Sequence, residues 1–214
     1  MSKESFLNKE GALFILDLTK VIHENRNYLS EIDGAIGDGD HGINMDKGFR
    51  MAGREIDPEV DDMSSALGKL GRTLLMKIGG SMGPIYGTFF KKMAKTCKGH
   101  DYIDKYIFRD TLYAGCKGIV ELENAKVGDK TIIDTLDPAV QAFSRAVENG
   151  VNFGGALTQM IDAAEKGKDS TQNLAAKVGR AARLGERSRG VLDAGASSCF
   201  LILQSLATSI MQKI

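Results

Sequence analysis

Apolar side chains return every three or four residues along almost the whole chain, and the stretches that carry them are broken by glycine. Phe14, Leu16, Leu18, Val21 and Ile22 open the pattern, and Leu29, Ile32, Ala35 and Ile36 continue it. That period is the signature of amphipathic helix. The same spacing predicts helices over about 43–52, 60–75, 85–93, 103–122, 139–148, 153–166, 169–184 and 195–209. Asp57-Pro58-Glu59 reads as a helix start. No stretch alternates polar and apolar residues as a half-buried strand would, although Thr131-Ile132-Ile133 invites a short extended piece. Helices can bury such stripes only against one another. The expected fold is therefore all-α: one bundle of about eight helices, forming a single domain over residues 1–214.

Composition narrows the functional classes. The chain has 25 glycines against 3 prolines, which in a helical protein implies tight turns and close backbone approaches. Lys plus Arg and Asp plus Glu both number 28, so the net charge is zero and no basic excess points to nucleic acid. Lys91, Lys92, Lys95 and Lys98 read as the wet face of a helix. The longest apolar runs fall short of the roughly 20 residues that cross a bilayer. The N-terminal MSKESFLNKEG is too polar for a signal peptide. The expectation is a soluble, cytoplasmic protein without a membrane partner. Cys97, Cys116 and Cys199 are odd in number and widely spaced, as reduced core thiols would be.

The segment richest in chemistry is Asp33 followed by Gly37-Asp38-Gly39-Asp40-His41-Gly42. Asp33 lies one turn before a helix end, and the glycines let the backbone fold back so that Asp38 and Asp40 can face the same point. Mg²⁺ prefers such a set: a few carboxylates, completed by the phosphates of a bound substrate. Three carboxylates at that spacing repel one another unless a cation joins them. On spacing alone an Asp/Gly surface turn, with Asp40 capping the next helix, is an equal alternative. His41 reads as a hydrogen-bond partner for phosphate or carboxylate.

Two further glycine clusters suit anions. Gly79-Gly80-Ser81-Met82-Gly83 precedes a helix, whose free N–H groups and the Ser81 hydroxyl can cradle phosphate, although a helix-to-helix turn with a left-handed glycine explains the cluster equally well. Arg187 to Ser198 includes Gly190 and Gly195, and follows a segment holding Arg180 and Arg183; these arginines either neutralise phosphate or form a basic helix end. There is no P-loop, no dinucleotide fingerprint and no Gly-x-Ser-x-Gly elbow. Three histidines, His23, His41 and His100, give poor support to a triad.

Taken in order, Asp33 to Met45, Gly79-Gly80-Ser81-Met82-Gly83-Pro84, Gly128-Asp129-Lys130-Thr131 and Gly185-Glu186-Arg187-Ser188 resemble the nucleotide-binding L subunits of dihydroxyacetone kinases over essentially the whole chain. The resemblance implies a barrel-like bundle of eight helices with the nucleotide at one end. It implies that Asp33, Asp38 and Asp40 hold two Mg²⁺ ions bridged by phosphates. Its nucleotide contacts fall on His41, Gly42, Ile43, Asn44, Ser81, Met82, Arg180, Asp193, Ala194 and Gly195, and further on Glu123 and Ile132. No residue here is implied as a catalytic base. Because the helical domain stands alone in this sequence, the resemblance points to the phosphoenolpyruvate-dependent branch. There ADP stays bound and is recharged to ATP by a phosphohistidine carrier, the M subunit, while a K subunit holds dihydroxyacetone on its own histidine. A homodimer is compatible with the sequence. The chain departs from the family's common residues at Met82 (small), Glu123 (Gly), Ile132 (Met), Ala182 (Ser) and Ala194 (Pro), which bears on nucleotide affinity and partner choice. A paralogous subunit for another small ketose, and a non-catalytic nucleotide-binding regulator, are the alternatives.

Overall fold

The structure, a computed structural model, describes residues 4–214. Its α-helices are α1 (Gly11–Glu24), α2 (Arg26–Ile36), α3 (His41–Gly53), α4 (Met63–Lys77), α5 (Met82–Cys97), α6 (Lys105–Glu123), α7 (Ile133–Glu148), α8 (Phe153–Ser170) and α9 (Ala194–Met211). Nine appear where about eight were expected, because Asn25 leaves helical geometry and divides the first run into α1 and α2. Packing closes on itself: α1 lies on α4, α4 on α5, α5 on α6, α6 on α7, α7 on α8, α8 on α9, and α9 returns to α1. This is a closed, barrel-like all-α bundle, with α3 laid against α1, α2 and α4.

The apolar stripes meet inside. Phe14, Phe49, Phe90, Phe108, Phe143 and Phe153 are fully buried or nearly so. Phe108, Phe143 and Phe153 pack edge-on or tilted, with centroids 5.5–6.1 Å apart. In α9, 13 of the 18 residues are buried, polar ones included, as expected of a helix enclosed on all sides. It is long and apolar enough to cross a membrane, but 72% of it lies buried inside the bundle as a core helix. Cys97, Cys116 and Cys199 are buried free thiols; burial pushes Cys97 up to about 11 and Cys116 up to about 12.

Several expected boundaries move, each for a local reason. Asp57–Val60 is a turn, and α4 starts at Met63 because Asp62 is the better cap, its carboxylate accepting from Ser65 N at 2.7 Å. α5 begins at Met82, since Pro84 fits within a first helical turn. α7 begins at Ile133 and runs through Pro138, which leaves the Asp134 carbonyl without its helical donor. Gly167 of α8 sits against that carbonyl, where a Cβ would collide. Thr131-Ile132-Ile133 is not extended: Lys130 is left-handed (φ 62°), Ile132 is right-handed helical, and the chain turns directly into α7. The largest miss is the helix expected over 169–184. That stretch lacks an apolar stripe, and after α8 it becomes a short 3-10 turn at Thr171–Asn173, an irregular segment, and a kinked 3-10 stretch over Arg180–Ser188.

A two-stranded antiparallel pair also went unforeseen, β1 (Ser5–Leu7) with β2 (Tyr102–Asp104), in register Ser5↔Asp104. Three residues are too few to show alternation. The pair holds the N-terminal segment beside the start of α6, and Asn8 reinforces it by donating to the carbonyls of Cys97 and His100.

Candidate metal and nucleotide site

Up-and-down packing brings the α2–α3, α4–α5, α6–α7 and α8–α9 connections to one end of the bundle, around a cleft of about 390 Å³. That volume lies in the ordinary range for small-molecule sites. The residue preceding each of α3, α5, α7 and α9, namely Asp40, Ser81, Ile132 and Asp193, lines the cleft. Four helix N-termini, each with spare N–H groups and the positive end of its dipole, therefore share one cavity. Such ends favour an anion with several negative oxygens.

The acidic cluster is assembled by backbone geometry. Asp33 sits in the last turn of α2, and the Gly37 N–H closes that turn on the Asp33 carbonyl at 2.5 Å. A Cβ on Gly37 would strike the Asp33 carboxylate, and Gly39 takes a left-handed φ of 75°. The chain thereby reverses within a few residues, and one oxygen from each of Asp33, Asp38 and Asp40 falls within 4.8 Å of the others. Asp40 occupies the N-cap position of α3, yet its side chain makes no capping bond. Asp33 takes that role instead, its Oδ2 accepting from His41 N at 3.3 Å. The capping alternative is thus set aside for Asp40, and three hard oxygen donors of the kind Mg²⁺ takes remain directed at one point. Arg180 reaches in from the α8–α9 connection, pairs with Asp38 through Nη1, and lies 3.9 Å from Asp40.

His41 is buried, and its Nε2 lies 2.8 Å from Ser198 Oγ. The sequence suggested phosphate or carboxylate as its partner; the structure gives it a hydroxyl. Burial pushes the imidazole down to about 4, so it is neutral at physiological pH. Ser198 also lies 2.6 Å from the Tyr86 hydroxyl, which joins the N-terminal ends of α3 and α9 to α5 through a buried polar chain. Asp193 caps α9 by accepting from Ala196 N at 2.7 Å, and burial raises its carboxyl to about 7.

Of the residues singled out in the sequence, Asp33, Asp38, Asp40, His41, Asn44, Ser81, Met82, Glu123, Ile132, Arg180, Asp193, Ala194 and Gly195 all line the cleft. Gly42 and Ile43 do not. Gly42 is pressed against the α2 backbone, where a Cβ would collide with the Arg26 carbonyl, and Ile43 points to solvent with 57% of its surface exposed. Arg183 and Arg187 are also outside the lining.

Sequence reading gave no role to Tyr86, Ser198 or Lys130. The Lys130 amine is buried and donates to the carbonyls of Thr171 (2.7 Å) and Val191 (2.5 Å), clamping both ends of the connection that carries Arg180. Burial lowers its pKa, partly offset by the Asp193 carboxylate. In the sequence it stood only as part of the Gly128-Asp129-Lys130-Thr131 motif, and a lysine in such a turn usually points to water.

The DAK2 domain model matches residues 35–208. The ADP-binding subunit DhaL of PEP-dependent dihydroxyacetone kinase 2 from Listeria innocua is 33% identical over 92% of this chain and 93% of its own length. Its Escherichia coli counterpart is 35% identical over 84% and 86%. Among solved structures, the dihydroxyacetone kinase from C. freundii in complex with AMP-PNP and Mg²⁺ superposes with a TM-score of 0.69 at 22% identity. It is matched over 92% of this chain, which spans 33% of that kinase's length, and at this identity it shows the fold alone. The chain belongs to the DAK2 domain family and, within it, to the DhaL subunits of PEP-dependent dihydroxyacetone kinases.

Proposed function

We propose that this chain is the nucleotide- and metal-carrying subunit of a dihydroxyacetone kinase, working as one cytoplasmic domain over residues 1–214. The observation that carries the proposal is the convergence of Asp33, Asp38 and Asp40 within 4.8 Å beside four helix N-termini in one cleft. The three carboxylates would hold two Mg²⁺ ions, and these supply charge neutralisation on the β- and γ-oxygens of the nucleotide. The N–H groups at the starts of α3 and α5, with Ser81, receive the phosphates. Arg180 is placed to leave Asp38 for a phosphoryl oxygen. Met82, Ile132 and Ala194 offer apolar walls for the nucleoside, with Asn44, Asp193, Gly195 and Glu123 as polar neighbours. Gly42 and Ile43 would serve through backbone only.

The phosphoryl group passes from ATP to dihydroxyacetone held on a separate K subunit, and a phosphohistidine carrier, the M subunit, restores ATP from the ADP kept here. None of the three histidines is placed to hold the substrate: His41 is engaged with Ser198, His23 with Asp46 at 2.9 Å, and His100 is exposed on the connection after α5 and does not line the cleft. Dihydroxyacetone is preferred to another ketose because the DhaL relatives match across 86–93% of their own length. Native mass spectrometry tests the reading. The purified protein should retain ADP in the presence of Mg²⁺ and convert it to ATP when mixed with the phosphorylated carrier. Absence of nucleotide at every magnesium concentration overturns it. Asp38→Ala should abolish magnesium-dependent retention while leaving the circular dichroism unchanged.

A further inference from the structure

The connection between α8 and α9 carries Arg180 to the aspartates, yet almost none of it is held by a core. From Thr171 to Asp193 only Thr171, Ala176 and Ser188 are buried. A segment with so few buried contacts has no fixed position unless hydrogen bonds from elsewhere give it one. Here they come largely from one turn, Gly128-Asp129-Lys130-Thr131, between α6 and α7. The Lys130 amine holds the two ends of the connection, donating to the carbonyls of Thr171 at 2.7 Å and Val191 at 2.5 Å. Three residues before Arg180, the Lys177 N–H donates to the Asp129 carbonyl at 3.1 Å. The Lys177 amine adds bonds to the Gly128 carbonyl at 2.8 Å and Asp129 Oδ1 at 3.2 Å. The turn is itself braced: buried Asp134, at the start of α7, accepts from Gly128 N at 2.6 Å and Thr131 N at 2.7 Å.

Burying a lysine is costly, and Lys130 is only 2% exposed. Its amine is spent on main-chain carbonyls and forms no ion pair with the aspartates, so it acts on the connection. The consequence reaches the cleft. Arg180 pairs with Asp38 and lies 3.9 Å from Asp40 from a backbone fixed at Lys177 and at both ends of the connection. A guanidinium on a free loop must lose backbone entropy to meet an anion. On a braced loop that entropy is already lost, and the anion binds more tightly.

We propose that Lys130 is a positioning residue for the ligand: through the turn that carries it, it holds Arg180 where the anionic part of a bound nucleotide meets it. The inference rests on the nucleotide-binding reading above. Calorimetry of Mg-ADP with wild type, Lys130→Met, Lys177→Met, Arg180→Gln and the two lysine variants combined with Arg180→Gln decides it. Lys130→Met should weaken binding about tenfold and Lys177→Met about threefold. Once Arg180 is replaced, neither should weaken it by more than about a further twofold, because the group they position is gone. Asn8→Ala controls for lost stability. It removes a buried side chain that accepts from Met63 N at the start of α4, away from the cleft, and should leave affinity within about twofold of wild type. Lysine-variant losses that persist in full without Arg180, an equal loss in Asn8→Ala, or no loss in either lysine variant overturns this inference alone. Lys177, whose side chain is 60% exposed, keeps the test decisive if Lys130→Met does not fold. Failure of the wild type to bind Mg-ADP overturns the functional reading as well.

Discussion

Arg180 and Asp38 form an ion pair across the cleft, joining the irregular α8–α9 connection to the loop between α2 and α3. Both side chains are about half exposed, so the pair is worth no more than about 1 kcal/mol. A cation of the protein's own thus occupies the place where the aspartates would otherwise face one another, and it can be displaced at small cost. Arg180→Gln should therefore tighten Mg²⁺ binding to the nucleotide-free protein by up to about fivefold. The same variant should weaken binding of the Mg-nucleotide, because the phosphate loses a cation. Calorimetry of each ligand checks both directions, and a parallel change in the two would contradict this role for Arg180.

Lys130→Met removes the amine that holds Thr171 and Val191 together. The Val191 carbonyl loses its partner, and the expected loss of stability is about 1–3 kcal/mol by urea denaturation. Because the amine closes the base of the Arg180-bearing connection, trypsin should also cut more quickly at Arg180, Arg183 and Arg187. Unchanged cleavage would show that the connection is held by other contacts, such as the Ser188 hydroxyl, which accepts from Ala176 N at 2.8 Å.

Gly37→Ala separates site geometry from folding. The new Cβ would press on the Asp33 carboxylate, so Mg²⁺ binding should fall at least tenfold while the helical content stays near wild type. Gly42→Ala, by contrast, would drive α3 away from the α2 backbone and should cost about 1–3 kcal/mol in stability, as overpacking does. Thermal melts alongside magnesium titrations distinguish the two.

The buried His41 gives the apo protein a pH dependence of known sign. Its folded value is pushed down to about 4 from 6.5, so the unfolded chain takes up a proton first as pH falls. The stabilisation is complete above about pH 6.5 and is lost between there and pH 4, on the order of 3 kcal/mol at full effect. Asp193, raised from 3.8 to about 7, acts oppositely, favouring the folded state as pH falls through that window. Wild type and His41→Asn should therefore be compared: the variant should lose less stability between pH 6.5 and 4.5. Parallel stability curves would refute the assignment.

Much of this molecule was readable from local chemistry. Amphipathic period and glycine breaks are properties of a few neighbouring residues, so the helices around Phe14, Leu67 and Phe143 could be placed, and so could the reversal at Gly37–Gly39. The convergence of Asp33, Asp38 and Asp40 was legible because all three lie within eight residues. What sequence could not decide depends on distant partners. Lys130 has no visible role until Thr171 and Val191 stand beside it, and His41 has no identifiable partner until α9 brings Ser198 to it. The helix expected over 169–184 fails because no face of it can be buried, so hydrogen bonds across the fold, not local propensity, determine its path. The chain alone determined which side chains can carry chemistry. Tertiary packing decided which helix ends meet, because burial and long-range hydrogen bonding act between residues that the sequence keeps far apart.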